Sequence, residues 1–143
     1  MSKVRVLISD PMSSQAVEVF EQRGIDVVQT GKMTEGELLE MIPDFHGLAI
    51  RSSTNVTEKV LQAATQLKVV GRAGIGVDNV DVPACTAKGI VVMNTPMGNA
   101  ITTAEHALAM MFSLARHIPQ ANQTTHAGAW AKSKYMGIEL TGK

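Results

Sequence analysis

The sequence predicts an α/β fold, a five-stranded parallel sheet with helices on both faces. Short β-branched apolar runs recur five times before residue 94, and segments with helical apolar spacing separate them. The runs are also nearly continuously apolar instead of alternating, as strands covered on both faces are.

The strands read as VRVLI (4–8), IDVV (25–28), GLAI (47–50), KVVG (68–71) and GIVVM (89–93). SSQAVEVFEQRG sets Ala16, Val17, Val19 and Phe20 on one side of a helix and stops at Gly24, a residue suited to a helix C-terminus. TEGELLEMI opens with Thr34 and has Glu37 three residues on, the spacing of a capping box. TEKVLQAATQL starts at Thr57 and repeats apolar residues at Val60, Leu61, Ala64 and Leu67. DVPACTAKG offers Asp81 as cap, Pro83 in the first turn and Gly89 as the stop. Strictly alternating strands and helices imply right-handed crossovers, and for five strands the natural arrangement is flavodoxin-like.

Beyond Met93 the pattern changes. NTPMGN is dense in turn formers and reads as a hinge. An apolar helix from about 101 to 118 follows, with Thr102 and Glu105 at capping-box spacing. A helix apolar nearly all round is deeply buried or awaits a partner. The remainder, from Gln120, carries weak structure signals. The expected division is 1–97 and 98–143.

Composition excludes several classes. Thirteen Lys and Arg balance thirteen Asp and Glu, so charge gives no reason to invoke nucleic acid or an anionic membrane. The lone Cys85 rules out an intrachain disulfide, fits a reducing, cytoplasmic compartment and reads as a small core residue. No segment is apolar for long enough to span a bilayer comfortably. His106 and His117 lie on the long helix with no orienting carboxylate at obvious spacing, and His46 and His126 sit in loops without metal-ligand spacing, so no metal site and no catalytic residue are assigned.

KVVGRAGIGVDNVD (68–81) carries the chemistry. A dinucleotide fingerprint needs a third glycine where Asn79 stands, and an acidic residue about twenty positions on, where this chain has only Asn94. The loop instead suits a single anion, because consecutive glycines free backbone N–H groups. Arg72 ends the same strand, and the preceding strand ends in Arg51, Ser52, Ser53 and Thr54. Two guanidiniums, hydroxyls and bare amides at adjacent strand ends would hold a small acidic metabolite. A plain tight turn would also use Gly74 and Gly76, and a surface arginine would also cap a strand. A phospho-receiver, suggested by Asp10 after the first strand, would need an acidic acceptor where Arg51 stands.

RSSTNVT, VVGRAGIGVDNVD, GIVVMNTPMGNAITTAEHALAMM, and a Trp followed by GIELTGK together resemble the D-isomer-specific 2-hydroxyacid dehydrogenases, in order, from about Val4 to Lys143. The resemblance implies that 1–97 is most of a substrate domain and that 98–143 begins an incomplete Rossmann nucleotide-binding domain. It implies that Gly74, Ile75 and Gly76 hold the substrate carboxylate, with Ile75 also near a nicotinamide. Arg51 and Ser52 match the substrate-contacting segment, Arg72 adds positive field, Asn99 matches a polar residue of the interdomain cleft, and Thr103 faces the nicotinamide. Trp130 and Lys132 match an arm reaching a neighbouring subunit, where the lysine meets a substrate phosphate. The helix at 101–118 matches a dimer core, so a homodimer or homotetramer is implied. The implied cofactor is NAD and the implied substrate a phosphorylated 2-hydroxy acid. The family's nucleotide fingerprint and its catalytic arginine, glutamate and histidine lie beyond a GK such as Gly142–Lys143, so these residues alone are expected to be inactive. Other 2-hydroxy acids, such as glycerate or glyoxylate, and a non-catalytic corepressor-like protein on the same scaffold are the alternatives.

Overall fold

A computed structural model describes residues 3–142, so Lys143 lies outside the described residues. The chain divides into two compact units, Met1–Gly98 and Asn99–Lys143.

The first unit is the predicted alternation: β1 (Arg5–Ile8), α1 (Ser14–Glu21), β2 (Asp26–Gln29), α2 (Glu35–Met41), β3 (Gly47–Ile50), α3 (Glu58–Ala63), β4 (Val69–Arg72), α4 (Val82–Ala87) and β5 (Val91–Met93). The sheet order is β2-β1-β3-β4-β5 and every pair is parallel. This is the flavodoxin-like order expected from the sequence.

Right-handed crossovers put α1 on one face and α2, α3 and α4 on the other, where α3 packs against both α2 and α4. The core follows that asymmetry. Leu7, Leu48, Ile50 and Val70 join Leu38, Ile42, Val60, Leu61, Leu67 and Cys85 in one buried cluster. Each such aliphatic side chain contributes about 1.5–3 kcal/mol by leaving water. Val6 and Ile8, of opposite parity to Leu7, are buried outside that cluster. The helix over their face, α1, buries no residue completely, and Val19 stays 46% exposed although the sequence grouped it with Phe20.

The caps follow the sequence. Thr34 Oγ1 accepts from the Glu37 amide while Glu37 accepts from the Thr34 amide at 2.7 Å, so α2 begins in a capping box. Thr57 caps α3, Asp81 caps α4 with Pro83 in its first turn, and Gly24 and Gly89 take left-handed conformations at φ 72° and 69°.

The second unit departs from expectation. Its long helix, α5, spans Ala100–Ala115 and not 101–118, and a further helix, α6, spans Ile118–His126. Pro119 explains the break: it has no N–H for the carbonyl four residues back, at Ala115. That carbonyl accepts from Ile138 N at 2.9 Å instead, and His117 turns left-handed at φ 53°. Asn99 occupies the N-cap position of α5, leaving Thr102 and Glu105 inside the helix, not boxed at its start. No residue of α5 is buried. Among the described residues no helix is long and apolar enough to cross a membrane.

Candidate functional site

The carboxyl ends of β1, β3 and β4 meet at one edge of the sheet, where open α/β folds take ligands. Ile50 and Arg72 are register partners, so Arg51 and Arg72 emerge from adjacent strand ends.

The β3–α3 loop is fixed from below. Asp10 is fully buried just after β1, and its Oδ2 accepts from Arg51 N at 2.6 Å and from Thr54 N at 3.3 Å. Its other oxygen, Oδ1, is buried with no partner. Ser9 and Thr54 join hydroxyls at 2.9 Å beside it. The anchoring leaves the Arg51 side chain exposed, with Nη1 donating to Pro11 O at 3.4 Å. Arg51 forms part of the wall of a cleft of about 470 Å³ that also includes Pro11, Met12, Ser13 and Ala73. Ser52 and Ser53 are exposed on the same loop.

The glycine loop is held from both sides. Gly74 O accepts from Thr95 N at 3.0 Å and Ile75 O accepts from Asn94 Nδ2 at 2.7 Å. The Gly74 amide closes a tight turn onto Arg72 O. The amides of Ile75 and Gly76 have no protein acceptor among the described residues, and both residues are exposed. Gly74 has an ordinary φ, and a Cβ there would meet Arg72 Nη1, so a larger residue would have to displace the guanidinium.

Arg72 is unlike Arg51. Its side chain is only 12% exposed, Nε donates to Asn79 Oδ1 at 2.7 Å, and Nη2 lies 4.0 Å from Asp78 Oδ1. The loop leads not into a long helix but into a parallel bridge between Val56 and Val80, then into the six-residue α4 capped by Asp81. A carboxylate at that terminus disfavours pyrophosphate. The residues therefore fit a carboxylate- or phosphate-sized anion and form no dinucleotide cradle.

In the second unit, Asn99 caps α5 through its backbone carbonyl, which accepts from Thr103 N at 3.0 Å, and both side chains are exposed. Lys132 is exposed beside a 190 Å³ cleft that includes Thr124, Trp130 and Tyr135. None of the four histidines makes a contact with a carboxylate among the described residues: His46 Nδ1 accepts from Arg5 N, and His126 meets Asn122 O. Cys85 is fully buried, and burial first, with the nearby Asp81 charge second, pushes its thiol pKa up, so it stays protonated and inert.

The sequence did not point to Asp10 as an anchor or to Asn79 and Asn94 as loop ties. A polar residue able to donate and accept at the neck of a loop is the signal that Asn79 carried.

The D-isomer specific 2-hydroxyacid dehydrogenase catalytic domain profile matches residues 6–136. The D-3-phosphoglycerate dehydrogenases of Archaeoglobus fulgidus and Homo sapiens are 48% and 47% identical to the chain over 98% and 97% of its length. The chain spans about a quarter of their length, 27% and 26%. The NAD+-bound 3-phosphoglycerate dehydrogenase of Entamoeba histolytica superposes with a TM-score of 0.70 at 33% identity, over 80% of this chain and 40% of that one. A glyoxylate reductase from Paecilomyes thermophila superposes with a TM-score of 0.88 over the whole chain and 47% of its own, at 20% identity, which speaks to fold alone. With the profile covering nearly its whole length, the chain belongs to the D-isomer specific 2-hydroxyacid dehydrogenases.

Proposed function

We propose that this chain carries the substrate-holding part of an NAD-dependent dehydrogenase that oxidises 3-phospho-D-glycerate to 3-phosphohydroxypyruvate, a cytoplasmic step of serine biosynthesis. The observation that carries the reading is the pairing of exposed Arg51 with the free amides of Ile75 and Gly76 at one sheet edge. The names of its relatives supply the substrate and cofactor class.

In this reading Met1–Gly98 is the substrate domain and Asn99 onward begins the nucleotide-binding domain. The Ile75 and Gly76 amides donate to the substrate carboxylate. Arg51, with Ser52, supplies charge and a hydroxyl to the phosphorylated end, and Lys132 reaches the phosphate of a neighbouring subunit's substrate in a homodimer or homotetramer. Ile75 borders the nicotinamide of the cofactor, and the pyrophosphate of that dinucleotide must be held by other residues. A proton-transfer histidine oriented by a carboxylate is absent among the described residues, so these 143 residues by themselves bind substrate without turnover.

Calorimetric titration with 3-phosphoglycerate, and separately with NAD, tests this. Binding of the first without the second is expected. Arg51→Ala should then weaken binding about tenfold or more, since charge-assisted contacts contribute about 1.5–3 kcal/mol. Failure of 3-phosphoglycerate to bind, or equal affinity in Arg51→Ala, would sink the proposal.

A further inference from the structure

We infer that Asn79 is a positioning residue, a single amide that locks the arginine-bearing β3–α3 loop to the glycine loop through Arg72. The substrate reading above supplies the ligand for one arm of the test; the coupling itself stands on geometry alone.

Asn79 uses its whole side chain. Nδ2 donates to Arg51 O at 2.8 Å and to Thr54 O at 2.6 Å, and Oδ1 accepts from Arg72 Nε at 2.7 Å. This orientation is forced, because a flipped amide would set donor against donor at Arg72 and acceptor against acceptor at both carbonyls. The backbone adds a fourth tie, Asn79 O accepting from Val56 N at 2.8 Å. Asn79 thus joins three points of the β3–α3 loop to the last residue of β4.

Arg72 passes the constraint on. With Nε held by Asn79, its guanidinium lies against Gly74, in the space a Cβ would need. It forms the floor of the loop whose Ile75 and Gly76 amides are free. Moving Asn79 therefore moves both halves of the proposed anion site: the backbone that carries Arg51 and the seat under the glycine loop. Aspartate keeps the acceptor for Arg72 but sets a carboxylate against two carbonyls, and alanine keeps neither arm.

Two readouts on the same protein decide the matter: ¹⁵N relaxation without ligand, and 3-phosphoglycerate affinity measured well below each variant's Tm. In Asn79→Ala, the order parameters of Ser52, Ile75 and Gly76 should fall from about 0.85 to below about 0.6, with Leu48 and Val70 unchanged. The Kd should rise about tenfold or more, and Asn79→Asp should behave alike. Adding Arg72→Lys, which lacks the Nε donor, should weaken Asn79→Ala little further, because both changes break one linkage. If Asn79→Ala does not fold, Arg72→Lys alone must show the loosened Ile75 and Gly76. Loops as rigid as in the parent would overturn the coupling, and loosened loops with unchanged Kd would overturn the positioning role. If the parent itself binds no 3-phosphoglycerate, the substrate reading fails and the relaxation data alone decide whether Asn79 couples the loops.

Discussion

At the scale of single residues, the site rests on groups that touch no ligand. Asp10 is the clearest, a carboxylate without solvent contact whose Oδ2 satisfies the amides of Arg51 and Thr54. Asp10→Ala would strip both amides of their acceptor, and a buried group left unsatisfied costs about 1–3 kcal/mol. Asp10→Asn keeps an acceptor and replaces the unpartnered Oδ1, so urea unfolding should show a loss less than half as large. Equal losses in the two variants would mean that Asp10 acts through its charge and not through those two bonds. Arg51, Ile75 and Gly76 could be singled out in the sequence because their residue types carry the proposed chemistry, whereas the Gly74 amide, expected to hold a carboxylate, is bonded to Arg72 O. Asp10 and Asn79 could not be, because their roles exist only once segments 25 to 44 residues apart come together. Asn79 even counted against the loop, as the missing third glycine of another motif.

At the scale of elements, local rules predicted well wherever the stabilising partner is local. Thr34 and Glu37 form their capping box within α2, and the Thr34 amide first and its hydroxyl second hold the Glu37 carboxyl pKa below its ordinary value. A depressed carboxyl adds stability at neutral pH that is lost as pH falls through the depressed value. The Tm gap between the parent and Glu37→Gln should therefore shrink on acidification, and a gap that persists in acid would show that the box acts without the charge. Thr34→Ala should cost about 1 kcal/mol at neutral pH. The end of α5 departs from the expectation for the complementary reason. Continuous apolar sequence carried the expected helix to 118, but Pro119 withdraws the donor for Ala115 O and the replacement comes from Ile138, far along the chain. Likewise Thr102 and Glu105 have capping-box spacing, yet the helix begins at Ala100 and leaves them inside it.

At the scale of the whole molecule, every buried apolar residue among those described falls between Val6 and Ile90. Ending the chain after Gly98 should leave a cooperative unfolding transition. A broad, non-cooperative transition in the 98-residue piece would show that the second unit is needed to complete the core. The strand order β2-β1-β3-β4-β5 also bears on how the protein is made. As the chain leaves the ribosome, β1 and β2 can pair first. Then β3 adds to the open side of β1, β4 to β3, and β5 to β4. No strand has to wedge between two that are already joined. The sheet can thus grow outward at the pace of synthesis, roughly 5–20 residues per second. Only the last-made side then waits for the next strand, and the order of translation is already an order of assembly.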